Sequence, residues 1–165
     1  MLLEFVSLTR RNHGLEHATM NFLGSKYPRR PFAGHSDWRG FWIMGDIATP
    51  ELLEVVQQAL NALQSGRHDL AIHANCGTNL VVSGAMAGMA GVVGMVGAGE
   101  ERRAKLDRIP LVITLATLAL MLSRPVGPLL QKHLTTSGDP QNLRVIKIIQ
   151  HNQGKLTAHR ISTKG

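Results

Sequence analysis

The chain has 165 residues and a single cysteine, Cys76, so no disulfide can close within one molecule. Aromatics are scarce as well: four Phe, two Trp and one Tyr. No basic run is interleaved with them, which removes the stacking platforms of a nucleic-acid binder, and nucleic acid is not an expected partner. Acid is short relative to base, with 11 Asp and Glu against 18 Lys and Arg and a formal charge of +7. That surplus suits an anionic lipid surface. Residues 1–12 have too short an apolar stretch, with no basic residue ahead of it, and are not expected to be a signal peptide. Internal repeats and low-complexity tracts are absent.

From 80 to 99 the charge vanishes for twenty residues, LVVSGAMAGMAGVVGMVGAG. This is the length of a membrane span, although its six glycines lower helix propensity. Gly84, Gly88 and Gly91 form a small-residue stripe on which a second helix could pack, from this chain, from a membrane-protein partner or from a second copy. A charged link, 100–108, leads to a second uncharged run of fourteen residues, 109–122, which Arg124 interrupts. An arginine near a helix end snorkels to the interface, so the two runs read as a transmembrane helical hairpin. Arg102, Arg103, Lys105 and Arg108 in the link lean toward a cytoplasmic link. Moving a 78-residue domain across a bilayer without a signal is uncommon, and the expectation adopted is a two-span membrane protein with its soluble part in the cytoplasm.

The flanking segments read as one small domain. A helix is expected over 9–23, capped by Thr9 and stopped by Gly24. Extended runs at 31–36 and 40–45 flank the turn Ser36-Asp37-Trp38-Arg39. Thr49-Pro50-Glu51 opens a helix to residue 64 with Leu53, Val56, Leu60 and Leu63 as its buried stripe, and 69–73 reads as a strand. In the tail, 143–150 and 155–162 are β-like around Asn152-Gln153-Gly154, a hairpin able to complete the sheet. The expected class is α+β: a small soluble sheet-plus-helices domain (1–78, completed by 131–165) with an inserted two-helix transmembrane hairpin (79–130).

Chemistry concentrates in Arg11-Asn-His-Gly-Leu-Glu-His-Ala-Thr19. Helical spacing sets His13, Glu16 and His17 on one face. Two imidazoles four apart can hold one metal ion, and a carboxylate beside them can take a proton from a water the metal activates. On the same spacing an amphipathic helix with solvated polar residues would look alike. Asn75-Cys76-Gly77-Thr78-Asn79 opens the first apolar run, with Thr78 or Asn79 as its cap, and His73 lies three residues before the thiol. Read alone this is a capping turn with a small buried cysteine. Read with the first motif, His73 or Cys76 is the natural third metal ligand, zinc being the metal such donors suit. His35 could reach the site from its turn.

Glu16-His17-Ala18, Gly40-Phe41-Trp42-Ile43-Met44-Gly45, Asn75-Cys76-Gly77-Thr78-Asn79 and Leu134-Thr135-Thr136-Ser137 together resemble an uncharacterised family of small bacterial membrane proteins. The resemblance covers most of the chain and implies a bacterial membrane protein, with little about its chemistry. His13-x-x-Glu16-His17 is also similar to the helix of inverted zinc proteases, H-x-x-E-H. Those enzymes take a distant glutamate as third ligand, and nothing here matches the rest of their pattern.

Three functions follow. The first is a membrane-anchored zinc-dependent hydrolase, of peptidase type, with His13 and His17 as ligands, His73 or Cys76 completing the set, and Glu16 as general base. The second is a non-catalytic accessory subunit of a membrane complex, any metal being structural. The third is a cysteine acyl-transfer enzyme using Cys76 with His73, His13 or His17 as base.

Overall fold

The computed structural model describes residues 2–153 and 156–165. The chain divides into two compact units, residues 1–73 with 132–165, and residues 74–131. The α+β class read from the sequence is observed.

The first unit is a four-stranded antiparallel sheet with helices on one face. Its strands are β1 (Ala33–Asp37), β2 (Gly40–Met44), β3 (Arg144–Gln153) and β4 (Leu156–Lys164), in the spatial order β1-β2-β4-β3. The central pairing, between β2 and β4, sets Phe41 opposite Ile161 and Ile43 opposite His159. These four residues share one face, as period-two alternation requires, and all are fully buried. Helices α1 (Leu2–Lys26) and α2 (Thr49–Gln64) supply the other side of the core through Leu15, Leu23, Leu52, Val55, Val56 and Leu63. The expected turn at Asn152-Gln153-Gly154 lies partly outside the described residues.

Several elements depart from expectation for identifiable reasons. Helix α1 begins at Leu2, and Thr9 is no cap, because its hydroxyl donates back to the Phe5 carbonyl within the helix. Val56, Leu60 and Leu63 of the expected α2 stripe are buried, while Leu53 is exposed and Leu52 and Val55 are inside in its place. Thr49 does not cap α2 either. Its hydroxyl donates to Gln150 Oε1 at 3.0 Å and accepts from the His159 ring at 3.1 Å. Gly66, at φ +94°, permits the turn that ends α2.

The expected strand at 69–73 is a 3-10 helix, His68–Ala71. Leu70 and Ile72 mimic strand alternation, but the carbonyls of this segment never meet a sheet. Asn21 donates to both Leu70 and Ile72, at 3.0 and 3.1 Å, and His17 bonds to Ala71. Polar side chains of α1 take the place of a ladder.

The second unit is an antiparallel pair, α3 (Gly77–Met95) and α5 (Ile109–Leu130), joined through the short α4 (Arg102–Asp107). The second apolar helix is longer than its fourteen-residue run suggested. It continues through Arg124, Pro125 and Pro128 to 22 residues. At 1.5 Å per residue that is about 33 Å, enough for a hydrocarbon core. Both helices are long and apolar enough to cross a membrane. Neither Thr78 nor Asn79 is the N-cap of α3: Cys76 holds that position, with no side-chain capping bond, and Asn79 donates back to the Ala74 carbonyl at 2.6 Å.

Only part of the expected glycine stripe on α3 meets α5. A Cβ on Gly84 or Gly88 would meet nothing within 4 Å, whereas one on Gly94 would come within 2.8 Å of Val112, and Gly91 is in ordinary contact with Val112. Ser83 and Ser123 share a hydrogen bond of 2.7 Å, and Gln131, fully buried, donates to Asn79 Oδ1 at 2.7 Å. Close fit and polar bonds join this pair. Gly94→Leu should therefore splay the pair, whereas Gly88→Leu should leave it intact. Cross-linking of cysteines placed at positions 83 and 123 reads the difference, with a fall in yield only for the Gly94 variant.

His159 gives a pH prediction. Burial disfavours its charged form and holds its pKa below the usual 6.5. Below about pH 6.5 the unfolded chain takes up a proton that the folded chain refuses, so stability falls as pH drops toward the folded pKa and is level above 6.5. Urea unfolding in detergent should show that slope between about pH 7 and 5, with a shallower slope in His159→Gln.

Candidate metal centre

The middle of α1 is buried nearly all round, from Gly14 to Thr19 and including Glu16 and His17. Three segments close on it. Gly14 allows the backbone at Ser137 to lie against the helix, where the Ser137 amide donates to the Arg10 carbonyl at 2.9 Å. This docks 135–137 beside His13, whose Nδ1 donates to the Thr135 carbonyl at 3.0 Å. One turn on, His17 Nδ1 donates to Ala71 at 2.8 Å. A carbonyl only accepts, so both rings carry the proton on Nδ1 and the lone pair on Nε2. Metal-binding histidines are held in the same way, with the second nitrogen tied to a carbonyl or carboxylate.

The two rings lie 4.3 Å apart between centroids, and each offers a ligand nitrogen within 4.8 Å of the other's. His73, expected on a strand, instead follows the 3-10 helix, with its ring 5.8 Å from that of His17. Partial burial, and secondarily the neighbouring His17, lower its pKa below 6.5. The structure thus brings His13, His17 and His73 together in the first unit. Cys76, a buried thiol, belongs to the second.

Glu16 turns to β1. Its Oε2 accepts from the Ser36 hydroxyl at 2.5 Å, and its carboxylate fills the space a Cβ on Gly34 would occupy. Gly34 and Ser36 pair with Ile43 and Phe41, so they stand on the core face of the sheet where apolar side chains are the rule. Small and polar residues there open a notch for the carboxylate. Neither was singled out in the sequence. The available signal was a short strand with Gly and Ser at its inward positions beside the apolar β2. His35 pairs with Trp42 on the opposite face, away from Glu16.

Around this centre the electrostatics are set by β1 and β4. Burial would raise the Asp37 pKa, but an ion pair with Arg160 at 2.8 Å and the Arg39 amide outweigh it and lower the value. Asn12, fully buried, donates to the Asp37 carbonyl at 2.9 Å and accepts from the Thr163 hydroxyl at 2.6 Å. The helix is thereby fixed to both strands at the level of the histidines.

The fold and site define an α+β domain with an inserted apolar helix pair and a histidine cluster on its first helix. A family model described as Domain of unknown function (DUF6391) matches residues 8–148, and the chain belongs to that family. An uncharacterized protein of Picosynechococcus sp. (strain ATCC 27264 / PCC 7002 / PR-6) is 33% identical over 156 residues, spanning 87% of this chain and 72% of that protein. No solved structure matches the chain.

Removing the Ser36 hydroxyl leaves a buried carboxylate short of a hydrogen bond. Bonds to charged groups contribute about 1.5–3 kcal/mol, so Ser36→Ala should lower unfolding free energy by about 2 kcal/mol. His35→Ala, on the outer face of the same strand, should stay within about 0.5 kcal/mol of wild type.

Proposed function

We propose that the protein is a membrane-anchored metalloprotein that works as a zinc-dependent hydrolase on peptide or amide bonds. The observation that carries the metal is the pair His13 and His17, each with Nδ1 tied to a backbone carbonyl and Nε2 as the donor atom. His73, whose ring stands beside that of His17 within the first unit, is the third ligand in this reading, with Cys76 as the alternative. Three imidazoles would leave the fourth position open, the donor set of a catalytic zinc site. Zinc held there would supply a Lewis acid that acidifies a water. Glu16, whose carboxylate Ser36 holds in the notch at Gly34, would be the base.

The apolar helices cross the bilayer in this reading. The segments before and after them form one compact unit, so both would lie on the same face of the membrane; the cytoplasmic face is the one proposed, since moving such a domain across a bilayer without a signal is uncommon.

A second reading, an accessory subunit with a structural metal, draws on the same carboxylate: Glu16 is buried and already bonded to Ser36. In that case a membrane-protein partner or second copy docks on α3 at the uncovered Gly84 and Gly88. Elemental analysis of protein purified without added metal separates the outcomes. About one zinc per chain is expected, retained in Glu16→Gln and lost in His13→Ala or His17→Ala. Hydrolysis of a peptide library should disappear in Glu16→Gln. Stoichiometric metal with a closed four-ligand shell would assign the subunit role, and absence of metal would end the hydrolase reading.

A further inference from the structure

The first turns of α1 stand out from the first unit with little against them. Leu2 and Leu3 are 76% and 84% exposed and Val6 is half exposed, and Glu4 is the one polar residue among positions 2–6. A helix end bathed in water usually carries polar residues around its outer face. Beside it is the β1–β2 turn. Phe5 meets Trp38 edge-on at 4.9 Å between centroids, and the Arg39 guanidinium lies 4.3 Å over the Trp38 ring. Two segments distant in sequence thus form one apolar patch with a cation at its rim. Asp37, the acid nearest Arg39 in sequence, is engaged by Arg160, which leaves Glu4 as the acid within the patch.

We propose that Leu2, Leu3, Phe5, Val6, Trp38 and Arg39 form a bilayer-docking surface that enters the boundary between headgroups and acyl chains of a membrane containing anionic phospholipid. The side-chain chemistry fits that depth. A tryptophan ring has an apolar body and an N–H that prefers the headgroup level, and a guanidinium pairs with phosphate through two hydrogen bonds. Leu2, Leu3 and Val6 supply the inserted apolar area. The chain's charge of +7 favours an anionic surface and disfavours a second copy bringing the same charge. The presence of lipid rests on the membrane reading proposed above, since the first unit is joined to the apolar pair at both of its ends.

The test uses the full chain reconstituted in vesicles of phosphatidylglycerol and phosphatidylcholine whose acyl chains carry bromine just below the headgroups. Trp42→Phe leaves Trp38 as the sole tryptophan, and the difference between wild type and Trp38→Phe gives the same quantity should that variant fold poorly. Bromine should quench Trp38 and shift its emission to shorter wavelength. Leu3→Glu, at an exposed position that cannot unfold the core, and Arg39→Glu should each cut quenching roughly twofold, as should vesicles lacking phosphatidylglycerol. Trp38 unquenched in protein that resists alkaline carbonate extraction overturns this inference and leaves the membrane anchor standing. Release by carbonate instead overturns the anchor itself. Quenching that is equal without phosphatidylglycerol, or a Trp38 environment that changes on dilution as a dimer would, also overturns it.

Discussion

A buried polar group must find a partner, and on α1 that requirement shapes the first unit. Asn12, His13, His17 and Asn21 close on the backbone carbonyls of Asp37, Thr135, Ala71, and Leu70 with Ile72. Arg10 adds His133 and Thr136, each at 3.0 Å. Most of these carbonyls belong to segments without a ladder of their own. The helix therefore does for them what a neighbouring strand would do, and leaving the buried His17–Ala71 bond unmade would cost about 1–3 kcal/mol. Apolar contacts through Leu15 and Leu23 anchor the same helix to the sheet, but they do not decide where the connecting segments run.

This has a consequence for chemistry. Histidines recruited to hold backbone are held by it in return, and their ring orientations are fixed before any ligand arrives. Preorganisation of this kind lowers the cost of binding a metal, because the protein gives up little further side-chain freedom. Glu16 is prepared in a different way, by a notch in β1 made from what Gly34 and Ser36 lack in bulk. The three residues of one helical face thus meet three different surroundings.

Much of the architecture was legible because it follows from periodicity. The alternation in β2, the Pro50 start of α2 and the uncharged run leading into α3 each point to the element observed. Errors came where tertiary bonds overrode local pattern. Leu70 and Ile72 alternate like a strand, yet α1 claims their carbonyls. Thr49 looks like a cap, yet a buried His159 claims its hydroxyl. Glycine spacing pointed to Gly84, Gly88 and Gly91, of which only Gly91 meets the second helix, beside Gly94. At the centre, the histidines could be found from spacing alone. Their carbonyl partners could not, because Thr135 is 122 residues from His13.

X-ray absorption at the zinc edge of the purified protein tests the central claim most directly. Bound by His13 and His17, zinc should show imidazole scattering from at least two nitrogens at about 2.0–2.1 Å. An oxygen-only shell without imidazole scattering, or no stoichiometric metal to measure, would contradict the assignment of this histidine pair as a metal centre.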